Sequence, residues 1–450
     1  MVRVTDMTHG RPIRLILLFS LPLMLGSVFQ QLYTIVDTII IGRGVGMQAL
    51  ASIGAADWIN WLVLWGLQGF TQGFAILAAQ EFGAGAYDRL RRVLAMIVKL
   101  SCWFGIAVTI ISLLLVRPLL TLLHTDPAVF GGAQTYLYVQ FGGSLIIIAY
   151  NMAAAVLRCL GDSRTPLFAI IAASFANIAL DLLFVMGFGW GIFGASFATV
   201  LAQLIAFLLC LRSLRRLPFV QLTKADWKTD PAILLHLCRL GIPTGLQMSM
   251  ITLGGMVLQS VLNGFGVVFV AGYTAANKLY GILESASVAF GYAMTAYMGQ
   301  NRGARNAARI DAGIRAVLVL SAEFTVAIVT AMLLAGKPLL VLFLSTEEAG
   351  AADALAVAYQ YLMVLMAFLF ALFMLQAYRS SLQGLGEMTV PTLSGFAEML
   401  MRMGAALVLP VFIGKSGVFF AEGAAWVCAA ALNLVWYYMR IGKIKRDMLK

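Results

Sequence analysis

At residues 160–166 the chain reads LGDSRTP, and at residues 385–391 it reads LGEMTVP, so one motif returns after 225 residues. A second motif is also repeated: QEFGA at 80–84 is matched by QNRGA at 300–304. Two such matches in a chain of 450 residues indicate two halves of one architecture. In a strongly apolar chain, paired halves of this kind are typical of membrane transporters.

The composition requires lipid as the solvent for much of the chain. Hydrophobic residues make up 61% and charged residues 11%, whereas about 25% of the residues in a soluble domain are charged. A helix needs about 20 mainly apolar residues to cross the hydrocarbon. We therefore predict an all-α integral membrane protein with twelve transmembrane helices in two pseudo-symmetric six-helix bundles. The predicted spans are 13–41, 48–79, 93–116, 133–157, 166–187, 191–211, 233–263, 267–299, 313–335, 356–381, 391–413 and 417–439.

The two bundles are predicted to occupy residues 1–211 and 233–450. Residues 212–232 form the one longer polar connection, which we interpret as a solvated linker near anionic lipid headgroups. Both copies of the Gly-acid-Pro motif fall between the fourth and fifth spans of a half. There glycine permits a tight turn and proline begins the next helix, where its missing N–H is not needed.

The basic charge of the chain is explained by topology. The formal net charge is +11, from 31 lysines and arginines against 20 acidic residues. If the N-terminus is cytoplasmic, 24 of these basic residues, Arg379 among them, fall on the cytoplasmic side and 4 on the outer side. Lys99, Lys278 and Arg402 complete the set within the spans. This asymmetry follows the positive-inside rule, so we expect both termini in the cytoplasm and no nucleic-acid partner.

Cysteine and histidine usage gives no indication of catalysis or of a resident metal. The five cysteines are scattered without a metal-binding spacing, and we predict free thiols. The three histidines stand at the edges of spans. We therefore predict no enzyme activity and no cofactor.

Acidic residues within the spans are the candidate functional residues, because each costs about 2.5–3.5 kcal/mol to insert. Asp37 lies in the first span, with Tyr33 one turn before it. Asn177 and Asp181 are one turn apart in the fifth span, and Thr199 lies in the sixth. These side chains offer only oxygens to a cation, which suits Na⁺ or a transferable proton and does not suit a soft transition metal. The alternative is that both acids merely hydrogen-bond neighbouring helices near an aqueous end.

The second half lacks an equivalent cluster. Glu398 precedes Arg402 by one turn, so we predict a structural ion pair between them. Glu284, in the eighth span, either neutralises a cationic substrate or pairs with Lys278. Asn151, in the fourth span, is a further candidate for a cavity-lining position.

Three segments together resemble the multidrug and toxin extrusion (MATE) family, over almost the whole chain. They are Pro22 with Tyr33 and Asp37, the stretch at 157–166, and the stretch at 299–304. The amino-acid sequence of the second half looks most like the bacterial MepA-like and DinF-like branches of this family. The resemblance implies a twelve-helix antiporter whose two lobes face a central cavity. Such proteins export organic, often cationic or aromatic, compounds in exchange for H⁺ or Na⁺.

The resemblance also implies roles for individual residues. DinF-like members carry a first-lobe cation site of Asp, Asn, Asp and Thr, and Asp37, Asn177, Asp181 and Thr199 occupy the matching positions. Pro22 matches a first-helix proline at which bending is proposed to accompany protonation, and Tyr33 matches an aromatic residue beside the site. NorM-like members place acids in the seventh and tenth spans, which this chain lacks, so a second-lobe site of that type is not expected.

The function predicted from the sequence is secondary active antiport by alternating access in the cytoplasmic (inner) membrane. Its partners would be small organic substrates, H⁺ or Na⁺ and membrane lipids, and the protein would be a monomer. The alternative is a lipid-linked oligosaccharide flippase of the same broad superfamily. That function requires several basic residues in the cavity to bind pyrophosphate, and only Lys99, Lys278 and Arg402 lie within the spans.

Overall fold

The computed structural model describes residues 4–344 and 350–449, and all regular structure in these ranges is helical. The prediction of an all-α fold is therefore confirmed. Short 3₁₀ turns and one π-helical turn, Leu182–Gly187, accompany the α-helices. The α-helices are α1 Pro12–Gly44, α2 Met47–Gly83, α3 Tyr87–Leu122, α4 Pro127–Gly142, α5 Ser144–Cys159, α6 Arg164–Asp181, α7 Gly191–Arg215, α8 Pro231–Asn263, α9 Val267–Gly303, α10 Ala307–Val341, α11 Ala351–Gly384, α12 Thr389–Ile413 and α13 Phe420–Leu449.

Each of the twelve predicted spans corresponds to a helix or a pair of helices. Within the described ranges, ten helical elements are long and apolar enough to cross a membrane, and the bent pair α4 and α5 provides an eleventh. The remaining predicted span is α9. It is long enough, at 37 residues, but it carries Lys278, Glu284 and several tyrosines and is not among the sufficiently apolar helices.

The fourth predicted span is broken. Helices α4 and α5 meet at an angle of 50° around Gly143. A Cβ atom at Gly143 would lie 2.5 Å from a methyl group of Val200 on α7, so only glycine allows this approach. Hydropathy does not reveal such a break, because both helices are equally apolar.

The internal repeat is visible in the helix ends. Helices α2 and α9 both contain 37 residues. Gly46 precedes the first with φ 111° and Gly266 precedes the second with φ 95°. The glycines of the repeated motif also match, since Gly161 has φ 93° and Gly386 has φ 71°. Positive φ is accessible to glycine at little cost, which explains why these positions keep it in both halves.

Replacing Gly161 by alanine is expected to destabilise the protein by more than the same change at Gly85. Both glycines have positive φ, 93° and 67°, so alanine costs roughly 1–2 kcal/mol at either. At Gly161 the new Cβ would also lie 2.1 Å from the Thr5 carbonyl oxygen, whereas Gly85 has open space around it. Chemical denaturation of the purified variants measures the difference. Equal losses would mean that Thr5 moves aside freely.

Contacts divide the chain into two compact units. Unit 1 holds the described residues of Met1–Asp6 together with Leu21–Gly245, and unit 2 holds Met7–Ser20 and the described residues of Leu246–Lys450. Helices α1 and α8 therefore pass from one unit to the other close to Pro22 and Pro243. The predicted lobes, 1–211 and 233–450, were defined from the internal repeat, whereas the two units are defined by contacts. The boundaries of the lobes remain a prediction.

The linker is more ordered than the sequence suggested. It remains largely exposed, but it contains two 3₁₀ turns, Pro218–Val220 and Lys224–Trp227, and contacts α3. The ammonium group of Lys99 donates to the Trp227 carbonyl at 2.5 Å and to the Thr229 hydroxyl at 2.8 Å. Lys99, which we predicted within a span, thus holds the linker.

Asp226 fixes the second of these turns. Its carboxylate accepts hydrogen bonds of 2.7 Å from both the backbone and the hydroxyl of Thr223. Burial acts to raise the pKa of Asp226, but these hydrogen bonds and the charges of Arg91 and Arg92 lower it overall. The carboxylate is therefore charged at neutral pH, as the turn requires.

The motif at 300–304 anchors the N-terminal segment within unit 2. The Met7 N–H donates to the Gln300 side chain at 2.8 Å, and the Asn301 amide donates to the Met7 carbonyl at 3.0 Å. Arg309 donates to the carbonyls of Met7 and Gly10, at 2.9 and 2.8 Å. The repeated motif thus has a structural role at this position.

Candidate ion-coupling site

Unit 1 brings the two predicted acids together. The carboxyl groups of Asp37 on α1 and Asp181 on α6 lie close enough to interact electrostatically. Two carboxylates at such a distance repel each other, and this repulsion disfavours ionisation of both. Asp181 is the last residue of α6 before the π-helical turn, an irregularity that is frequent at functional sites.

Buried polar atoms without partners surround this pair. Asp181 is 0% exposed and Asn177 is 1% exposed. Neither the amide oxygen nor the amide nitrogen of Asn177 has a hydrogen-bond partner, and the same holds for both carboxylate oxygens of Asp181 and for Asp37 Oδ1. Buried polar atoms in proteins are nearly always satisfied, so these atoms form a candidate binding site.

A small cavity of about 40 Å³ lies within unit 1, about one turn from the two acids along α1 and α6. Three of the predicted residues line it, namely Tyr33, Asn177 and Thr199. Aromatic rings and amides dominate the rest of its polar lining, which includes Gln30, Tyr150 and Gln203. The cavity therefore offers flat apolar surfaces with neutral hydrogen-bonding groups next to the acids.

The other predicted residues lie in different settings. The Thr199 hydroxyl donates to the Ala195 carbonyl at 3.2 Å, which leaves its lone pairs available. Asn151 donates to the Ile147 carbonyl at 2.9 Å and is not among the residues that line the cavity. Its neighbour Tyr150 lines the cavity instead. Pro22 lies inside the continuous helix α1.

Unit 1 contains a third acidic residue near this pair, which was not among the predicted site residues. Asp57 on α2 interacts electrostatically with Asp37, and Tyr136 on α4 interacts with both. The Asn60 amide, one turn after Asp57, donates to the Tyr136 hydroxyl at 3.2 Å. Asp57 falls in the middle of a predicted span, so the rule that identified Asp37 would also have identified it.

Replacing Asp57 by asparagine is expected to weaken cation binding without preventing transport. Removal of one negative charge near Asp37 weakens the electrostatic attraction for a cation. The affinity for the cation is expected to fall roughly 3- to 10-fold. The cation concentration for half-maximal exchange should rise by that factor in reconstituted vesicles. The same change at Asp353, an exposed residue in the first turn of α11, is the control. An unchanged half-maximal concentration in the Asp57 variant would show that this acid does not act on the ion.

Unit 2 contains a buried network of ion pairs. Arg402 bonds to Glu398 at 3.1 Å, as the sequence predicts, but it also bonds to Glu422 on α13 at 2.8 Å. Arg379 bonds to the other oxygen of Glu398 at 2.5 Å. Arg379, which the charge count assigned to the cytoplasmic side, falls inside the predicted span 356–381. It lies within α11, 4% exposed, because that helix extends to Gly384.

Arg402 also reaches α8. Its guanidinium donates to the Ile251 carbonyl at 2.9 Å. A Cβ at Gly254 would lie 3.2 Å from the Met399 Cα and 3.4 Å from the Arg402 guanidinium, so glycine permits the close approach of α8 and α12.

Glu284 on α9 does not pair with Lys278. Lys278 is exposed, and no ion pair joins the two among the described residues. Glu284 is partly exposed and lies within electrostatic reach of Tyr280, one turn earlier. It also lies within electrostatic reach of Glu422 and Arg402.

Comparison with known proteins identifies the family. A family model described as MatE matches residues 22–183 and again residues 243–408, so each half of the chain is recognised separately. The chain belongs to the MatE family. The resemblance inferred from the sequence motifs is thereby confirmed, and the two matches begin at the paired prolines Pro22 and Pro243.

Relatives cover the whole length of the chain. The probable multidrug resistance protein YpnP of Bacillus subtilis (strain 168) is 31% identical over 99% of this chain and 98% of its own length. The multidrug export protein MepA of Staphylococcus aureus (strain NCTC 8325 / PS 47) is 23% identical over 94% of this chain and 93% of its own. A solved structure of MATE in complex with MaL6 has the same fold, with a TM-score of 0.91 at 24% identity over 99% of this chain and all of that one.

These findings settle the class of protein. The chain is an integral membrane protein of a multidrug efflux transporter family and is not an enzyme. Among the described residues, no group of three or more His, Cys, Asp or Glu side chains could hold a metal ion.

Proposed function

We propose that this transporter exports organic, mainly cationic or aromatic, compounds in exchange for H⁺ or Na⁺ by alternating access. The observation that carries the proposal is the pair of neighbouring acids Asp37 and Asp181, whose carboxylate oxygens lack hydrogen-bond partners, with the unpartnered amide of Asn177 on the same helix as Asp181. Two carboxyl groups enclosed in a bundle change their interactions strongly when an ion binds or leaves.

The proton is the first candidate for the coupling ion. Two neighbouring carboxyl groups can share one proton, so gain or loss of that proton switches the pair Asp37 and Asp181 between attraction and repulsion. Such a switch biases the helices α1 and α6 that carry the two acids. At 100 mV, one elementary charge moving inward supplies about 2.3 kcal/mol, roughly a fiftyfold concentration ratio of the exported compound.

Sodium is the second candidate, because of the neutral oxygens near the pair. Asn177 and Thr199 add an amide and a hydroxyl oxygen to the two carboxylates, and hard cations prefer ligands of this kind. In that case Na⁺ would be one of the exchanged substrates of the transporter and would replace the shared proton.

The lining of the unit 1 cavity supports organic substrates. Tyr33 and Tyr150 present aromatic surfaces, and the glutamines can reorient to donate or accept hydrogen bonds. The names of YpnP and MepA refer to multidrug resistance and multidrug export. A lining without fixed ion pairs suits varied compounds better than one specific substrate.

The flippase alternative is disfavoured by the state of the basic residues. Arg379 and Arg402 are engaged by carboxylates, and Lys99 is bonded to the linker. Lys278 remains, and a single lysine does not provide a pyrophosphate site. We also propose that both termini are cytoplasmic, from the distribution of basic residues, and that the transporter acts as a monomer.

The proposal is tested by dye efflux from reconstituted vesicles, driven separately by a pH gradient and by a sodium gradient of equal size. Proton coupling predicts that only the pH gradient concentrates the dye, and that an uncoupler abolishes the effect. Sodium coupling predicts the reverse. If neither gradient drives dye movement, while a lipid-linked oligosaccharide is moved across the bilayer, antiport of organic compounds is refuted.

A further inference from the structure

The cavity of unit 1 is lined by buried polar atoms that no protein atom satisfies. Asn177 is 1% exposed, and both its amide oxygen and its amide nitrogen lack hydrogen-bond partners. Gln203 on α7 lines the same cavity, and its buried side-chain oxygen also lacks a partner. Native proteins rarely leave such atoms without a partner. Their position around one cavity therefore indicates that the cavity binds a polar ligand.

The size and lining of the cavity fit water. Its volume is about 40 Å³, and a bound water molecule needs at least about 10–15 Å³ of such space together with two to four polar partners. The amide of Asn177 donates and accepts, the oxygen of Gln203 accepts, and the Thr199 hydroxyl has lone pairs available. All of the lining residues are uncharged, which suits a neutral ligand. About two water molecules therefore find both room and partners there.

The cavity lies on one side of the acids. Along α6 its lining runs from Asn177 back to Ile170, and along α7 it runs from Thr199 on to Ala206. At 1.5 Å per residue, each stretch covers about 10 Å. Both lead toward the ends of α6 and α7 that carry arginines, on the side proposed to be cytoplasmic. The far end, at Ile170 and Ala206, is apolar, so Gln203 is the polar lining residue of α7 that lies farthest from the acids.

We infer that Gln203 positions a water molecule which, with Asn177, passes protons between the acids of unit 1 and the cytoplasmic side. The inference rests on the proposed function, because it takes Asp37 and Asp181 as the groups that exchange a proton. A proton released by either acid binds to the nearest water molecule, which gives up one of its own protons to the next. Each water molecule is neutral again after the transfer, and neither amide gains or loses a proton. Gln203 is thus a positioning residue that acts through water.

X-ray footprinting of the full-length protein in lipid nanodiscs tests whether water occupies the cavity. Hydroxyl radicals that X-rays generate from bound water oxidise the side chains beside it, even where bulk solvent does not reach. Tyr150 lines the cavity and is 9% exposed, so it should be oxidised readily. Tyr361, 0% exposed in an aromatic stack of unit 2, should be protected. Equal protection of the two tyrosines would overturn the assignment, and this comparison needs no substitution.

A matched pair of variants ties the water to Gln203. Gln203→Met keeps the length of the side chain but removes its hydrogen-bonding groups, and it should lower the oxidation of Tyr150 severalfold. Gln221→Met, the same change at an exposed position of the linker, should leave the oxidation of Tyr150 unaltered. Unchanged oxidation of Tyr150 in the Gln203→Met protein would show that Gln203 does not hold the water.

Dye efflux from vesicles under a pH gradient tests the passage of protons. Gln203→Met should lower the maximal rate roughly tenfold, as expected for the loss of one buried hydrogen-bond acceptor. The dye concentration for half-maximal efflux should stay the same, because proton movement and not dye binding is impaired. Gln203→Glu restores an acceptor oxygen and should recover much of the rate, which a simple packing defect would not allow.

The contrary outcomes separate this inference from the proposed function. An unchanged maximal rate in a folded Gln203→Met protein would overturn the role of Gln203 and leave the proposed function intact. A raised half-maximal dye concentration at an unchanged maximal rate would mean that Gln203 contacts the dye, and it would equally overturn that role. If a pH gradient drives no efflux even in the unmodified protein, proton coupling itself is refuted, and the passage of protons past Gln203 with it.

Discussion

Replacing Asp37 by asparagine is expected to reduce gradient-driven dye efflux to the level of protein-free vesicles. Asparagine has nearly the same shape as aspartic acid, but it can neither release a proton nor attract a cation by charge. The Asp181 carboxyl would still find a hydrogen-bonding side chain opposite it, so the helices should keep their packing. The measurement is efflux of a fluorescent dye under an imposed ion gradient, with the thermal stability of each variant recorded in parallel.

Asp88→Asn is the matched control for this experiment. Asp88 lies in the first turn of α3 with its side chain 88% exposed, and the same chemical change there should leave efflux unaltered. Asp181→Asn should reproduce the loss, because either acid alone cannot form the proton-sharing pair. Full efflux by a stably folded Asp37→Asn protein would disprove the role assigned to the pair.

Replacing Arg402 by methionine is expected to cause the largest loss of stability of any single change in unit 2. The substitution leaves Glu422 without a partner and leaves Glu398 with Arg379 alone. It also removes the bond to the Ile251 carbonyl. Loss of one partner from a buried ion pair costs about 3–5 kcal/mol. Denaturation of the purified protein in detergent measures the change.

A second substitution distinguishes this mechanism from a simple packing defect. If uncompensated charge is the cause, Glu422→Gln added to Arg402→Met should recover part of the lost stability. Arg315→Met, on an exposed position of α10, is the control and should have a small effect. A double variant that is as unstable as Arg402→Met, or less stable, would contradict the charge explanation.

The fold was largely predictable because the features that define it are local or periodic. The repeated motifs required two similar halves, and the apolar stretches located twelve spans. The glycines of the motif at 160–166 and 385–391 do adopt positive φ, as a tight turn requires. The bend at Gly143 was not predictable, because it depends on the contact with Val200, 57 residues away in the sequence.

The candidate site was predictable where residues share a helix and less so where they do not. Asn177 and Asp181 are one turn apart, so their proximity follows from helix geometry. The contact of Asp181 with Asp37 required the resemblance to a known family. The partners Glu422 and Arg379 were missed because nothing local in the sequence links them to Arg402 and Glu398. Long-range pairing of charges is fixed by tertiary packing, which a single sequence does not reveal.

The anchored N-terminal segment has a practical consequence for work with this protein. Thr5 donates to the Gly161 carbonyl at 3.0 Å, and Met7 is completely buried two residues later. Reporter domains and purification tags fused at the front of the chain would begin within a few residues of these contacts and would disturb them. In the last turns of α13, Gly442, Lys443, Arg446 and Asp447 are exposed, so fluorescent or affinity fusions for imaging and isolation are better placed at the opposite end of the polypeptide.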